Sequence, residues 1–102
     1  MAVNYGIKYN VGKGKINVYT EGSGKYTIVF LSGAGVTSPV LEYSPLYRRL
    51  SDEYKIAVVE KAGYGMSEST DTERTVENMV SESREALRLA GINPPYILAA
   101  HS

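Results

Sequence analysis

Three short segments hold the residue types that could do chemistry. Ala100-His101-Ser102 places a hydroxyl directly after the chain's one histidine, Ser32-Gly33-Ala34-Gly35 is a loop of small residues, and Glu60 to Ser67 (EKAGYGMS) is a glycine-bearing loop that starts from a carboxylate. A serine hydroxyl pushed into the open could attack a carbonyl carbon. Glycines on both sides of Ala34 let the main chain come close to a bound group. His101 is the base that proximity suggests, but successive strand side chains point to opposite faces, so it is poorly placed to deprotonate its neighbour. Taken singly, the segments also read as a serine after a core strand, a turn built on glycines and a tight surface loop.

The elements that must position these segments follow from periodicity. Ile7 to Val11 and Lys15 to Glu21 alternate as strands, with Ile16, Val18 and Thr20 on one face, and the break Gly12-Lys13-Gly14 between them predicts a β-hairpin. Tyr26 to Leu31 contains the continuous run TIVFL, which predicts a strand covered on both faces. Ser44 as N-cap, with Pro45 in the first turn, predicts a short helix to about Asp52 whose apolar face is Leu46, Tyr47 and Leu50. Lys55 to Glu60 (KIAVVE) is the next strand. Thr70 and Glu73 offer a capping box, and Val76, Met79, Val80, Ser83, Leu87 and Ala90 recur at steps of three and four. An amphipathic helix of about five turns follows, closed by Gly91. Pro94 and Pro95 block its continuation, and Tyr96 to Ala100 (YILAA) is a last buried strand running into His101 and Ser102.

A hairpin followed by alternating strands and helices predicts an α/β fold, with a mostly parallel sheet, helices on its faces and one domain over residues 1–102. In such sheets ligands sit beyond the carboxyl ends of the strands, near the switch point of the strand order. Residues 32–37, 63–67 and Ser102 all fall there.

Composition narrows the function classes. With 43% hydrophobic and 22% charged residues in 102, the chain has the make-up of a globular unit. Eleven basic side chains balance 11 acidic ones, so no global field favours nucleic acid or an anionic membrane as a partner. The absence of cysteine excludes disulfides and thiolate chemistry, and a single histidine excludes a multi-histidine metal site within the chain. No apolar run approaches the roughly 20 residues that cross a bilayer. Met1 to Asn10 lacks the pattern of a secretory leader, which makes the cytoplasm the expected compartment.

Together the three segments resemble the α/β-hydrolase family, across essentially the whole chain, as the N-terminal half of that fold. Ala100-His101-Ser102 looks like the first half of the G-x-S-x-G nucleophile elbow, with Ala100 where glycine is usual, and the match implies that Ser102 is the nucleophile. Residues 32–35 match the loop whose backbone helps to bind the tetrahedral oxyanion. Ala34 N–H is the implied donor, Gly33 and Gly35 line the substrate, and Ser32 stands where the family often has histidine. Glu60 to Ser67 is similar to the family's D-x-R-G-x-G-x-S segment, with Glu60 for the aspartate and Ala62 for the arginine, and implies a scaffold role. The residue before the nucleophile is often histidine there without being the base, and the triad runs serine, acid, histidine, so both partners of Ser102 are expected after residue 102.

The resemblance thus implies a serine hydrolase that cleaves a small ester, thioester or amide through an acyl-enzyme on Ser102, active only with the C-terminal half of the fold. That half is expected as a second chain or a further segment. The family places the 96–100 strand in mid-sheet, where it would otherwise be an apolar unpaired edge, and the chain alone is not expected to be a stable monomer.

Two other readings stay open. Gly33, Gly35 and Ser38 after a strand, with Glu60 at the end of the next, partly match a dinucleotide-binding fingerprint. The fold could also serve as a non-catalytic binding module. A P-loop is excluded, because Tyr26 follows Gly22-Ser23-Gly24-Lys25 and Tyr19 holds the first glycine's place.

Overall fold

The computed structural model describes residues 6–12, 14–31, 38–61, 67 and 75–100, leaving aside the side chains of 42, 76 and 100. The expected hairpin is present: Ile7–Asn10 (β1) runs antiparallel to Lys15–Glu21 (β2), with Ile7 opposite Val18. Three further strands follow, Thr27–Leu31 (β3), Lys55–Glu60 (β4) and Ile97–Ala100 (β5). They join the hairpin in one five-stranded sheet of order β1-β2-β4-β3-β5. β4 is antiparallel to β2, while β3 lies parallel to β4 on one side and to β5 on the other. The strand order therefore reverses at β3, whose two successors flank it.

The apolar runs are explained by cover on both faces. Val29 and all of Ile56 to Glu60 are fully buried. Alternation sorts their side chains into two cores. Ile16, Val18, Val29, Ala57 and Val59 pack with Ala86, Leu87 and Ile92 on one face. On the other, Tyr19, Ile28, Phe30, Ile56 and Val58 pack with Val40 and Tyr47.

The helical segment after β3 departs from expectation. It forms two pieces, Pro39–Glu42 (α1) and Ser44–Leu50 (α2), with Tyr43 between them. Ser44 is not the N-cap: it already lies in the helix, and its Oγ donates to Leu41 O at 2.9 Å. Nor is Leu46 a core residue, being 52% exposed, whereas Tyr47 is 1% exposed. The aromatic ring takes the sheet-facing position because it reaches both Tyr19 and Phe30, at centroid distances of 5.5 and 6.2 Å. Such contacts stabilise beyond the area they bury.

Val76–Leu89 (α3) covers the opposite face. It is 14 residues long, about four turns, and its N-cap is Thr75, whose hydroxyl accepts from Asn78 N–H at 3.1 Å. The Thr70 and Glu73 pair lies outside the described residues. Gly91 ends the helix as expected, with φ +80°. Ile92 N–H donates to Leu87 O at 2.9 Å and Gly91 N–H to Arg88 O at 3.1 Å, the paired bonds of a Schellman motif. The accompanying apolar contact is supplied by Leu87 and Ile92, each 3% exposed. Val80, expected on the apolar stripe, is 47% exposed and faces the β5 side, where the sheet is uncovered.

Gly22 shows what a close backbone approach demands. Its φ is +77°, and a methyl added there would lie 2.4 Å from Ser51 O. Gly22→Ala is expected to cost about 2–5 kcal/mol, combining left-handed strain with overpacking. Gly12→Ala should cost only about 1–2 kcal/mol, because nothing lies within 4 Å of its added methyl. Urea midpoints of the two variants test this; equal losses would mean that the 51–54 turn yields freely.

Candidate functional site

The parallel strands β3, β4 and β5 all finish at one edge of the sheet. They end there at Leu31, Glu60 and Ala100. Leu31 is the register partner of both Val59 and Ala100. The chain leaves β3 toward 32–37 and β5 toward 101–102 from paired positions, about 5 Å apart as neighbouring strands are. Ser102, His101, Gly33, Ala34 and Gly35 themselves lie outside the described residues, as does Tyr64.

Beneath that edge lies a buried polar network that the sequence reading missed. Glu60 is fully buried, and Asn17, its partner across the β2–β4 ladder, is 1% exposed. Asn17 Nδ2 donates to Glu60 Oε1 at 2.9 Å, and Val40 N–H at the start of α1 donates to Glu60 Oε2 at 3.2 Å. Ser67 ties the later loop to the same place: its Oγ accepts from Asn17 N–H at 2.7 Å and donates to Glu60 O. Buried polar groups must find such partners or carry a desolvation cost. The available signal was Asn17, a polar residue among the apolar positions of a buried strand.

This environment removes the acid from the dinucleotide reading. A ribose-binding carboxylate must face its ligand, whereas that of Glu60 is enclosed and engaged by Asn17 and Val40. The helix that opens at Pro39 is only four residues long, too short for the aligned dipoles of a pyrophosphate site.

The aromatic core above α2 has unusual protonation properties. Burial, followed by donation of its hydroxyl to Glu21 Oε1 at 2.5 Å, pushes the Tyr19 phenol up to about 12. Burial likewise raises Tyr47. Both phenols hold their protons more tightly folded than unfolded, so their stabilising effect is complete below about pH 10 and is lost as pH rises toward 12. Denaturation midpoints are expected to fall across that window, with part of the tyrosinate absorbance appearing only as the protein unfolds. Ionisation of all nine tyrosines together near pH 10, with no loss of structure, would contradict it.

Among the described residues no cluster of three or more His, Cys, Asp or Glu could hold a metal ion, and no helix is long and apolar enough to cross a membrane. The uncovered side of β5 is strongly apolar: Ile97 and Leu98 are 50% and 60% exposed. Beside it runs a groove of about 400 Å³ lined by Leu31, Met79, Val80, Leu87, Tyr96 and Leu98, among others.

Comparison with known proteins bears on this architecture. No family model matches the chain. It is 50% identical over 88 residues to YbdG, an uncharacterized protein of Bacillus subtilis, covering 86% of this chain and 27% of that one. The crystal structure of E-2-(acetamidomethylene)succinate hydrolase matches with a TM-score of 0.75 and 27% identity, over 94% of this chain and 34% of its own. An α/β-hydrolase-fold protein from Burkholderia ambifaria matches with a TM-score of 0.80 and 19% identity, over 97% of this chain and 35% of its own. The chain spans about a third, or less, of the length of these proteins. Matching such structures over nearly its whole length, one of them a hydrolase at 27% identity, the chain has the α/β-hydrolase fold over the part that it spans.

Proposed function

We propose that this chain is the nucleophile-bearing part of a serine hydrolase that cleaves an ester, thioester or amide of a small molecule through an acyl-enzyme on Ser102. The observation that supports the reading is the parallel pairing of β3 with β5, which ends both strands at the switch point, at the paired residues Leu31 and Ala100. The similar hydrolase, named for 2-(acetamidomethylene)succinate, supports hydrolysis as the reaction class.

In this scheme Ser102 Oγ attacks the acyl carbon while its proton passes to a histidine outside this sequence, oriented by an acid from the same part of the fold. Negative charge develops on the carbonyl oxygen and is met by Ala34 N–H and the N–H of the residue after Ser102. Gly33 and Gly35 let that backbone close on the substrate. Collapse of the tetrahedral species expels the alcohol, thiol or amine, which takes the proton from the imidazolium. Water then attacks the acyl-enzyme by the same route, releasing the acid and restoring Ser102. No cofactor or metal is needed.

The apolar edge and groove beside β5 are the seat of the remaining fold, whether continuous with this chain or supplied by a second one. A strand exposed on its edge, with Ile97 and Leu98 uncovered, calls for a further strand and covering helices. Intact mass of the purified protein, with and without a fluorophosphonate that captures activated serines, tests the whole reading. An adduct on Ser102 in an assembly that includes the rest of the fold is expected. An assembled but unlabelled protein would overturn the catalytic reading in favour of a binding module.

A further inference from the structure

We infer that Glu60 and Tyr47 form a two-sided clamp on the backbone of Val40 and act as positioning residues for the 32–37 segment. Val40 sits at the start of α1, 3% exposed, two residues after that segment's exit at Ser38. Its N–H donates to Glu60 Oε2 at 3.2 Å, and its C=O accepts from the Tyr47 hydroxyl at 2.7 Å. The two clamping side chains come from β4 and α2, and both are essentially fully buried.

The clamp answers a local deficit. The first N–H groups of a helix have no partner within it, and Ser38, the N-cap of α1, makes no side-chain cap bond. Pro39 has no N–H, so the Val40 N–H is the first that must be satisfied. In place of a local cap the chain uses a carboxylate from across the fold. Glu60 must accept twice, from Asn17 Nδ2 and from Val40 N–H. A carboxylate offers two acceptor oxygens, whereas glutamine offers one and turns a donor toward a donor.

The consequence is geometric. Ala34 lies between Leu31, held in the β3 ladder, and Val40, held by the clamp, so the span that would carry the oxyanion donor is anchored at both ends. Oxyanion stabilisation depends on donors already in place when charge develops. The catalytic part of this inference rests on the proposed function; the clamp itself does not.

Glu60→Gln and Tyr47→Phe test it by two readouts on the purified protein. In amide hydrogen exchange, each variant is expected to speed exchange across 38–41 at least ten-fold more than in α3. In fluorophosphonate capture at Ser102, each is expected to slow the covalent step about ten-fold or more with the reagent's affinity unchanged. Exchange that rises equally in every element, or does not rise at 38–41, would overturn the clamp and leave Glu60 a general stabiliser. Should Glu60→Gln fail to fold, Tyr47→Phe, which removes one hydroxyl, decides the matter in the same way. If wild type assembled with the rest of the fold shows no capture, the reading of Ser102 as nucleophile falls, and exchange alone still passes judgement on the clamp.

Discussion

Ser102→Ala is expected to abolish fluorophosphonate capture and to lower turnover by on the order of 10⁶-fold, because the proposed mechanism forms its acyl bond on the hydroxyl that is removed. The fold should be unaffected, since the change lies beyond the last register pair of β5, Leu31 with Ala100. His101→Ala should be far milder. If the alternation of a strand continues past Ala100, the His101 side chain faces away from that of Ser102, and the proposed mechanism gives it no part in proton transfer. Steady-state rates and burst amplitudes of the two variants separate these roles. A retained acylation burst in Ser102→Ala would remove the residue from the mechanism, and a collapse equal to that of Ser102→Ala in His101→Ala would make His101 the base after all.

Tyr47→Ala is expected to have the largest effect on stability. The ring is 1% exposed and packs against Tyr19 and Phe30, and its hydroxyl serves the C=O of Val40. Truncating a buried aromatic costs about 3–5 kcal/mol through lost transfer energy and the cavity left behind. An abandoned buried carbonyl adds about 1–3 kcal/mol. Against a whole-domain stability of about 5–15 kcal/mol, this is enough to unfold a large share of molecules. Tyr47→Phe keeps the ring and should lose only the share of the abandoned carbonyl, about 1–3 kcal/mol. Urea denaturation of the two variants measures the difference, and near-equal midpoints would mean that the ring contributes little.

Local information made much of the fold legible. The hairpin, the TIVFL and KIAVVE strands, the α3 periodicity and the glycine stop at Gly91 are all found where the sequence puts them, because each depends on side-chain period and backbone freedom within a few residues. The family likeness was likewise carried by short motifs, with Ala100-His101-Ser102 and Ser32-Gly33-Ala34-Gly35 both at the ends of strands. Boundaries were less secure where a competing local signal existed. Ser44-Pro45 has the form of a helix start, yet the helical segment already opens at Pro39, another proline suited to a first turn.

Only the tertiary structure decided the rest. Leu46 and Tyr47 are adjacent and both apolar, and which of them turns inward depends on Phe30 and Tyr19, which come from two different strands. Glu60 ends a strand like any solvated carboxylate would, but the β2–β4 register sets it opposite Asn17, and α1 closes over it. Period and propensity act over neighbours in the chain, while the burial of a polar carboxyl group and the partners that make it tolerable are set by strands and helices brought together across gaps of 20 and 43 residues.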